Sequence, residues 1–267
     1  MPNPENDDIR ETIRRKYKAI AQKSPLGVGG CSPSCCGGDD DAATTGISVA
    51  LGYSLTELSQ APQGSNMGLG CGNPLATASL KLGETVLDLG SGGGFDAFLA
   101  AQVVGERGRV IGVDATPEMV HRARRLAAEH GYNNVEFRLG EIENLPAADC
   151  SVDAIVSNCV INLSPEKPRV FQELFRVLRP GGRLAISDVV ATAQLPAEIR
   201  ADLTLYASCI AGACTVAELE IMMADAGFVA ISVRPKEESK TFMHEWASSV
   251  NVEEFAASAT IAATKPT

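Results

Sequence analysis

A glycine-rich turn placed directly after a short apolar run constrains this chain more than any other feature. Residues 85–89 form the run, residues 90–94 contain four glycines, and a helical pattern begins at Phe95. Glycine lets a backbone approach a ligand closely, and the first turn of a helix presents free amide groups to that ligand. This order predicts a ligand-binding turn at the carboxyl end of a parallel strand.

Strand and helix patterns continue to alternate beyond this turn. The predicted strands lie at residues 85–89, 109–113, 134–139, 152–157 and 182–189, and the helices between them at 95–104, 117–130 and 165–178. Alternation of this kind predicts an α/β fold with a mostly parallel sheet and helices on both faces. Later helices are predicted at 196–209 and 216–226, and edge strands at 228–233 and 257–263.

The charge balance excludes some classes of partner. The chain has 23 Lys and Arg against 33 Asp and Glu, a formal net charge of -10. A chain this acidic repels a phosphate backbone, so nucleic-acid binding is not expected. Residues 1–10 lack the basic and then apolar pattern of a secretory leader, and no apolar stretch approaches the length of a membrane span. A cytoplasmic location without a membrane partner is therefore expected.

Two acids indicate which ligand the glycine turn holds. Asp114 follows the second strand, where a carboxylate can accept hydrogen bonds from both hydroxyls of a ribose. Asp88 comes just before the glycines, at a place that is usually apolar when the ligand carries a pyrophosphate. An acid there favours a ligand with a positive charge. The pattern therefore predicts a nucleoside that bears a cationic group.

Residues 84–190 resemble the class I S-adenosylmethionine-dependent methyltransferases. The resemblance is carried by residues 86–94 and by the segment Arg-Val-Leu-Arg-Pro-Gly-Gly-Arg-Leu at 176–184. It implies a Rossmann-like sheet and S-adenosylmethionine as the cofactor. In that family the glycine turn holds the methionine part, the acid after the second strand holds the ribose, and residues after the third strand flank the adenine. The implied cofactor residues are Asp88, Gly90, Ser91, Gly92, Gly94, Asp114, Glu141, Ile142 and Asn158.

Cysteines are the best candidates for holding a methyl acceptor. Cys159 follows the fourth strand, Cys71 lies in a glycine-rich stretch before the first, and Cys209 ends a predicted helix beyond the fifth. They could converge at the carboxyl edge of the sheet, although any one could equally be a small buried apolar side chain. No pair has the two-residue spacing of a zinc motif, and no histidine lies near. Three thiolates without a fourth ligand suit a soft three-coordinate centre better than zinc.

The cysteine motifs resemble those of the arsenite S-adenosylmethionine methyltransferases. The similar segments are residues 67–74, 87–101, 157–165 and 207–213, and the likeness extends over about residues 11–235. The resemblance implies that Cys71, Cys159 and Cys209 bind trivalent arsenic. It also implies an upstream cysteine that exchanges thiols with the first, matched best by Cys31, with Cys35 and Cys36 as alternatives. The tyrosine-rich start of the family is replaced here by Arg-Lys-Tyr-Lys at 15–18.

The resemblance implies a complete reaction. A methyl group passes from S-adenosylmethionine to arsenite, the arsenic lone pair attacks in line, and glutathione or thioredoxin supplies reducing thiols in arsenic detoxification. A monomer is expected. The implied parts are an N-terminal helix and cysteine-rich cap (1–75), a cofactor-binding core (76–190) and C-terminal helices and late strands (191–267).

Three alternatives remain at this point. One is a methyltransferase of an organic molecule with incidental cysteines, and another is a metal or arsenite sensor without turnover. The third, a nicotinamide dehydrogenase, is disfavoured by Asp88 and by the lack of a well-placed acid–base pair.

Overall fold

A single seven-stranded sheet forms the centre of the molecule. The computed structural model describes residues 4–23, 38–239 and 251–267. The strands are β1 Thr85–Leu89, β2 Arg109–Asp114, β3 Val135–Leu139, β4 Val152–Asn158, β5 Leu178–Ala191, β6 Val229–Pro235 and β7 Ala256–Thr264. Their order is β3-β2-β1-β4-β5-β7-β6, with β1 to β5 parallel and β7 antiparallel between β5 and β6. The predicted α/β fold with a mostly parallel sheet is confirmed.

Ten α-helices surround the sheet in the described ranges. They are α1 Pro4–Lys23, α2 Gly38–Ala50, α3 Leu55–Gln60, α4 Leu75–Ala78, α5 Phe95–Val104, α6 Pro117–Glu129, α7 Lys167–Val177, α8 Ala197–Ala201, α9 Leu203–Tyr206 and α10 Val216–Asp225. Among the residues that the structure describes, no helix has the length and apolar character needed to cross a bilayer.

Both faces of the sheet are buried, as neighbouring residues of β1 illustrate. Val86 packs in a cluster with Phe98 of α5, whereas Leu87 belongs to a second cluster with Leu174 of α7. Successive side chains of a strand point to opposite faces, so an apolar run such as β1 requires cover on both sides. The helices supply that cover and leave the carboxyl edge of the sheet for a ligand.

Two predictions about local structure are wrong. The glycine, serine and proline content of residues 24–46 predicts a loop, but α2 begins at Gly38, and residues 24–37 lie outside the described residues. Residues 196–209 were expected to form one helix, but the helix is broken at Asp202. The Asp202 side chain accepts hydrogen bonds from the amides of Thr204 and Leu205, so it starts a new helix instead of continuing the old one.

The predicted starts of three helices can be compared with the structure. The spacing of Ser54 with Glu57 and of Thr215 with Glu218 predicts a capping box at each helix start, and both boxes are present. A hydroxyl directly before Pro117 predicts Thr116 as the side-chain cap of α6, but Thr116 makes no capping hydrogen bond. Its hydroxyl is instead hydrogen-bonded to the neighbouring carboxylate of Asp114.

Helix α1 packs against α6 and α9 at the carboxyl edge of the sheet. Lys18 forms an ion pair with Glu118 of α6 at 2.9 Å, and Arg10 pairs with Glu166 at 2.5 Å. These contacts place α1 over the ends of the central strands. The late strands β6 and β7 join the same sheet as the core, and the three-part division of the chain stays a prediction.

Candidate functional site

A pocket opens at the carboxyl edge of β1, beneath α1. Residues 90–93 of the glycine turn line it, and the amides of Gly90 and Ser91 donate to the carbonyl of Val113 at 2.8 and 3.0 Å. Gly90 has a φ of 70°, and a Cβ there would lie 2.6 Å from the side chain of Val160. A larger residue would therefore be strained and would also displace the opposite wall of the pocket.

Most of the predicted cofactor residues line this pocket. Gly94 is the exception, because it is absent from the lining and packs inward. A Cβ on Gly94 would lie 2.7 Å from Phe137 and 2.8 Å from Phe98, so this glycine permits close packing of α5 against the sheet. The predicted residues found in the lining are Asp88, Gly90, Ser91, Gly92, Asp114, Glu141, Ile142 and Asn158.

Asp114 ties the end of β2 to the glycine turn. One carboxylate oxygen accepts from the amide of Gly92 at 2.9 Å, and the other accepts from the amide of Thr116 at 2.8 Å. Burial raises the pKa of Asp114, and these hydrogen bonds oppose the shift. The carboxylate is thus held at the pocket wall, at the place expected for a group that binds a ribose.

Two buried acids, Asp88 and Asp96, line the pocket beside the glycine turn. Asp88 is 2% exposed, and within the described ranges its Oδ2 atom has no hydrogen-bond partner. Asp96 accepts from the Tyr53 hydroxyl at 2.6 Å and from the Asn158 amide at 3.2 Å. Burial raises the pKa of Asp96 to about 6, and burial with repulsion from Asp96 raises that of Asp88 well above its usual value.

This acid pair fits a ligand with a cationic end, because a nearby positive charge restores the ionised forms. Among the residues that the structure describes, the Asp88 Oδ2 atom and the Ser91 hydroxyl have no hydrogen-bond partner, and both residues line the pocket. Sequence analysis missed Asp96 and Tyr53. The sequence does indicate Asp96, because an acid in the first turn of α5 lies at the same edge of the sheet as the glycine turn. No sequence pattern indicates Tyr53.

Helix α1 supplies the other wall of the pocket, which sequence analysis also missed. Arg10, Ile13, Arg14 and Tyr17 all line it. Arg14 forms an ion pair with Glu141 across the pocket mouth. Tyr17 lies within electrostatic range of Cys159 and Cys209, and burial raises its pKa well above the usual value. Tyr17 thus stands between the cofactor pocket and the cysteines.

Cys71, Cys159 and Cys209, here termed the thiol cluster, come together from three distant segments. They are 1%, 7% and 2% exposed and belong to one buried cluster. The Cys209 thiol donates to the carbonyl of Cys159 at 3.0 Å. The Cys159 thiol also has hydrogen-bonding contact with the thiols of Cys71 and Cys209. Only Cys159 of the three lines the cofactor pocket in the described part of the chain, so it connects the two sites.

The backbone around these cysteines is tightly constrained. Cys159 and Cys209 have φ values of 58° and 64°, in the left-handed region that side chains with a Cβ avoid. Such a conformation costs on the order of 1–3 kcal/mol and persists where surrounding contacts fix it. The Cys159 amide donates to the Ser187 carbonyl at 2.8 Å, and the Cys71 amide donates to Asn158 Oδ1 at 2.9 Å. A strained backbone and these hydrogen bonds therefore fix the positions of the cysteines.

Asp188, near the end of β5, adds a carboxylate to the thiol cluster. One of its oxygens and the sulfurs of Cys71 and Cys159 all lie within 4.8 Å of one another. Burial raises the pKa of Asp188 to about 6, opposed by hydrogen bonds from the segment that begins at Ile161 and from Val189. Asp188 was not among the predicted site residues, although it lies one residue before the end of a predicted strand, as Asp88 does.

The surroundings of the thiol cluster raise the pKa of all three cysteines. Burial raises the pKa of Cys71. The pKa of Cys209 is raised by its hydrogen bond with Cys159 and by burial. The hydrogen bond with Cys209 lowers the pKa of Cys159, but contact with Cys71 and burial raise it well above the usual value on balance. Buried thiols with raised pKa values are suited to a soft ligand that exchanges for their protons.

The other cysteines and the histidines lie elsewhere or outside the described residues. Cys150 is exposed and Cys214 is half-buried against the main core. Cys31, Cys35 and Cys36 fall outside the described residues, so the fourth functional thiol stays a prediction. The part of the pocket lining that the structure describes holds no histidine.

Comparison with known proteins gives consistent matches. A family model described as a methyltransferase domain matches residues 80–227. An arsenite methyltransferase of Halobacterium salinarum is 49% identical over 97% of this chain and 67% of its own length. That of Homo sapiens is 43% identical over 54% of this chain and 40% of its own length. The chain thus spans two thirds or less of the length of these relatives.

A solved structure shares the fold as well as sequence. The crystal structure of an arsenic(III) S-adenosylmethionine methyltransferase from Chlamydomonas reinhardtii superposes with a TM-score of 0.61 at 33% identity. The superposition covers 83% of this chain and 73% of that one.

Proposed function

The chain belongs to the arsenite methyltransferase family, and from this premise we propose that it transfers a methyl group from S-adenosylmethionine to trivalent arsenic bound by Cys71, Cys159 and Cys209. One observation carries the proposal: three buried thiols from separate segments meet beside a pocket that has the features of a nucleoside site. A methyltransferase of an organic molecule would not require that convergence.

The pocket residues fit the cofactor at each of its parts. Asp88 and Asp96 would hold the cationic methionine end, Asp114 the ribose, and Glu141 with Ile142 the adenine. The unpaired Oδ2 of Asp88 supports this assignment, because a buried carboxylate oxygen without a donor is costly until a ligand supplies one. When bound, the cofactor supplies an electrophilic methyl group on a sulfonium sulfur.

The thiol cluster would hold arsenic by exchange of bonds without net acid or base. Arsenous acid loses its hydroxyls as As–S bonds replace As–O bonds, and each leaving hydroxyl takes one thiol proton to form water. Soft trivalent arsenic prefers sulfur to oxygen, which favours this exchange. The resulting pyramidal tris-thiolate is uncharged and keeps its lone pair. That lone pair is the nucleophile, so no histidine base is required.

Cys159 would bring the lone pair into line with the methyl group. It is both a member of the thiol cluster and part of the pocket lining, and Tyr17 of α1 lies against the same region. Orientation of two bound reactants in this way can contribute several kcal/mol, on the order of 7–11 for ideal cases. The cover provided by α1 would also exclude water from the transfer.

Attack by the lone pair would release S-adenosylhomocysteine and leave the methylated arsenic two electrons more oxidised. Two of the bound thiolates would return those electrons and leave as a disulfide, so renewal of the thiols requires an external reductant in this proposal. Cys31, or alternatively Cys35 or Cys36, would exchange with Cys71. Glutathione or a small dithiol protein such as thioredoxin would then reduce the disulfide by thiol exchange.

Product analysis tests the proposed function. The reduced full chain is incubated with arsenite, glutathione and methyl-labelled S-adenosylmethionine, and the arsenic species are separated. The proposal predicts label in methylated arsenic. Binding of arsenite without labelled product would indicate a sensor, and label on an organic acceptor in variants without Cys71 and Cys209 would indicate the other class of methyltransferase.

The affinity for S-adenosylmethionine is expected to fall as the pH drops below about 6. Asp96, whose pKa is raised to about 6, is ionised above that pH and attracts the cationic ligand; protonation removes the attraction. Below this pKa the limiting loss is about tenfold per pH unit. Equilibrium dialysis between pH 5 and 8 measures it, with Asp96→Asn as the control that should show a flatter profile. An unchanged affinity in wild type from pH 5 to 7 would contradict the role of the acid pair.

A further inference from the structure

We propose that the thiol cluster and the Asp188 carboxylate together also bind a thiophilic divalent cation, such as Cd²⁺ or Zn²⁺, in competition with arsenite. Sequence analysis disfavoured zinc because it found three cysteines and no fourth ligand. The fold supplies that ligand, since β5 places Asp188 beside Cys71 and Cys159. This inference goes beyond methyl transfer and needs neither the methyl donor nor turnover.

The ligand atoms are nearly close enough for a tetrahedral site. The sulfurs of Cys71 and Cys159 and one oxygen of Asp188 lie within 4.8 Å of one another. Ligand atoms around a tetrahedral zinc stand about 2.0–2.3 Å from the metal, which separates them by somewhat less than 4 Å. The Cys209 sulfur is not among these atoms, but the Cys209 thiol donates to the carbonyl of Cys159 and therefore lies next to them. Three ligands thus already face one another, and a rotation of the Cys209 side chain away from the Cys159 carbonyl would add the fourth.

Hydrogen bonds hold the Asp188 carboxylate in position before any cation binds. Oδ1 accepts from the amide of Val189 at 2.8 Å and from Asn162 Nδ2 at 2.9 Å, and Oδ2 accepts from the amide of Ile161 at 2.9 Å. A carboxylate oxygen has two lone pairs, so Oδ2 retains one for a metal. Asn162 also donates to the carbonyl of Cys209 at 3.2 Å. Such outer contacts orient metal ligands and increase their affinity.

The local charges balance for a divalent cation. Three thiolates and one carboxylate carry four negative charges, of which the cation neutralises two. Lys16 and Lys167 supply the other two: Lys16 lies within electrostatic range of Cys159 and Cys209, and Lys167 within range of Asp188. Lys16 is anchored by hydrogen bonds to the carbonyl of Ala207 at 3.0 Å and to Ser208 Oγ at 2.7 Å. Arsenic, whose tris-thiolate is already neutral, does not need the carboxylate.

The two ligands therefore differ in proton balance. A divalent cation displaces the thiol protons into solvent, up to three per cation, whereas arsenous acid carries those protons away as water. Proton release on binding distinguishes cation binding from arsenite binding without any measurement of activity.

Cadmium titration of the full chain tests the inference. Cys31, Cys35 and Cys36 are replaced by serine so that their thiols do not contribute, and the protein is reduced and freed of metal. We expect one Cd²⁺ per chain, proton release on binding, and no uptake after loading with arsenite. Asp188→Asn should weaken Cd²⁺ binding by at least about tenfold and change arsenite affinity by less than about twofold. Cys214→Ser serves as the matched thiol control and should bind both ligands as before.

Two results would overturn the inference: equal Cd²⁺ affinity in Asp188→Asn and its parent, or simultaneous binding of Cd²⁺ and arsenite. If Asp188→Asn does not fold, X-ray absorption at the cadmium edge identifies the ligand atoms around Cd²⁺ in the parent chain instead. A shell of mixed sulfur and oxygen in the parent chain supports the site, and a shell of sulfur alone contradicts it. Because no methyl donor is present, failure of arsenite methylation would leave these results unaffected.

Discussion

Replacing Cys159 with serine is expected to lower the rate of arsenite methylation by at least about a thousandfold, or about 4 kcal/mol in the transition state. Cys159 alone among the described thiols both belongs to the thiol cluster and lines the cofactor pocket. Serine has nearly the same shape but offers a hard oxygen, which soft arsenic binds poorly. The affinity for S-adenosylmethionine should change by less than about threefold, because the cofactor contacts lie on other residues.

Single-turnover methylation and equilibrium dialysis of the cofactor measure the two effects separately. Cys214→Ser is the matched control, since Cys214 is half-buried against the main core. Its rate should stay within about twofold of wild type, as expected for a residue outside the site. A Cys159→Ser variant that methylates arsenite at the wild-type rate would show that the thiol cluster is not the acceptor site.

Replacing Asp114 with alanine is expected to have the opposite effect: weaker binding of S-adenosylmethionine with arsenite binding retained. Its carboxylate accepts hydrogen bonds from the amides of Gly92 and Thr116 and would accept the ribose hydroxyls of the cofactor. Hydrogen bonds to a charged group contribute about 1.5–3 kcal/mol each. Loss of the carboxylate should therefore lower the affinity for S-adenosylmethionine by at least about tenfold. Arsenite should still bind, as measured by its protection of the buried thiols from alkylation.

The control for this prediction is Glu129→Ala, at the end of α6, where the side chain is exposed. That variant should bind the cofactor and arsenite as the wild type does. If Asp114→Ala bound S-adenosylmethionine normally, the ribose assignment would be wrong. If Asp114→Ala lost its affinity for both ligands, the carboxylate would maintain the structure of the carboxyl edge of the sheet instead of binding the cofactor.

Much of the fold could be predicted because its signals are local. The predicted strand at 85–89 and the predicted helix at 95–104 coincide with β1 and α5. Apolar runs, glycines and capping residues determine such elements within a few neighbours. The break at Asp202 was missed because its capping side chain competes with helix continuation, and periodicity does not reveal that competition.

The site could be predicted only in part, because convergence depends on tertiary structure. The rule that ligands bind at the carboxyl ends of parallel strands was enough to bring Cys159 and Asp114 to one edge. It did not show that α1 crosses that edge and brings Tyr17 to the pocket. Nor did it pair Asp88 with Asp96 or place Asp188 against the thiols, since those contacts join residues from different elements.

Arsenic X-ray absorption tests the central claim most directly, because it counts the sulfur atoms bound to arsenic. The chain is loaded with one equivalent of arsenite after replacement of Cys31, Cys35 and Cys36 by serine, without added thiol. Three sulfur ligands are predicted, falling to two in Cys209→Ser. An oxygen-dominated shell, or a sulfur count that Cys209→Ser leaves unchanged, would contradict the proposal that the thiol cluster holds the substrate.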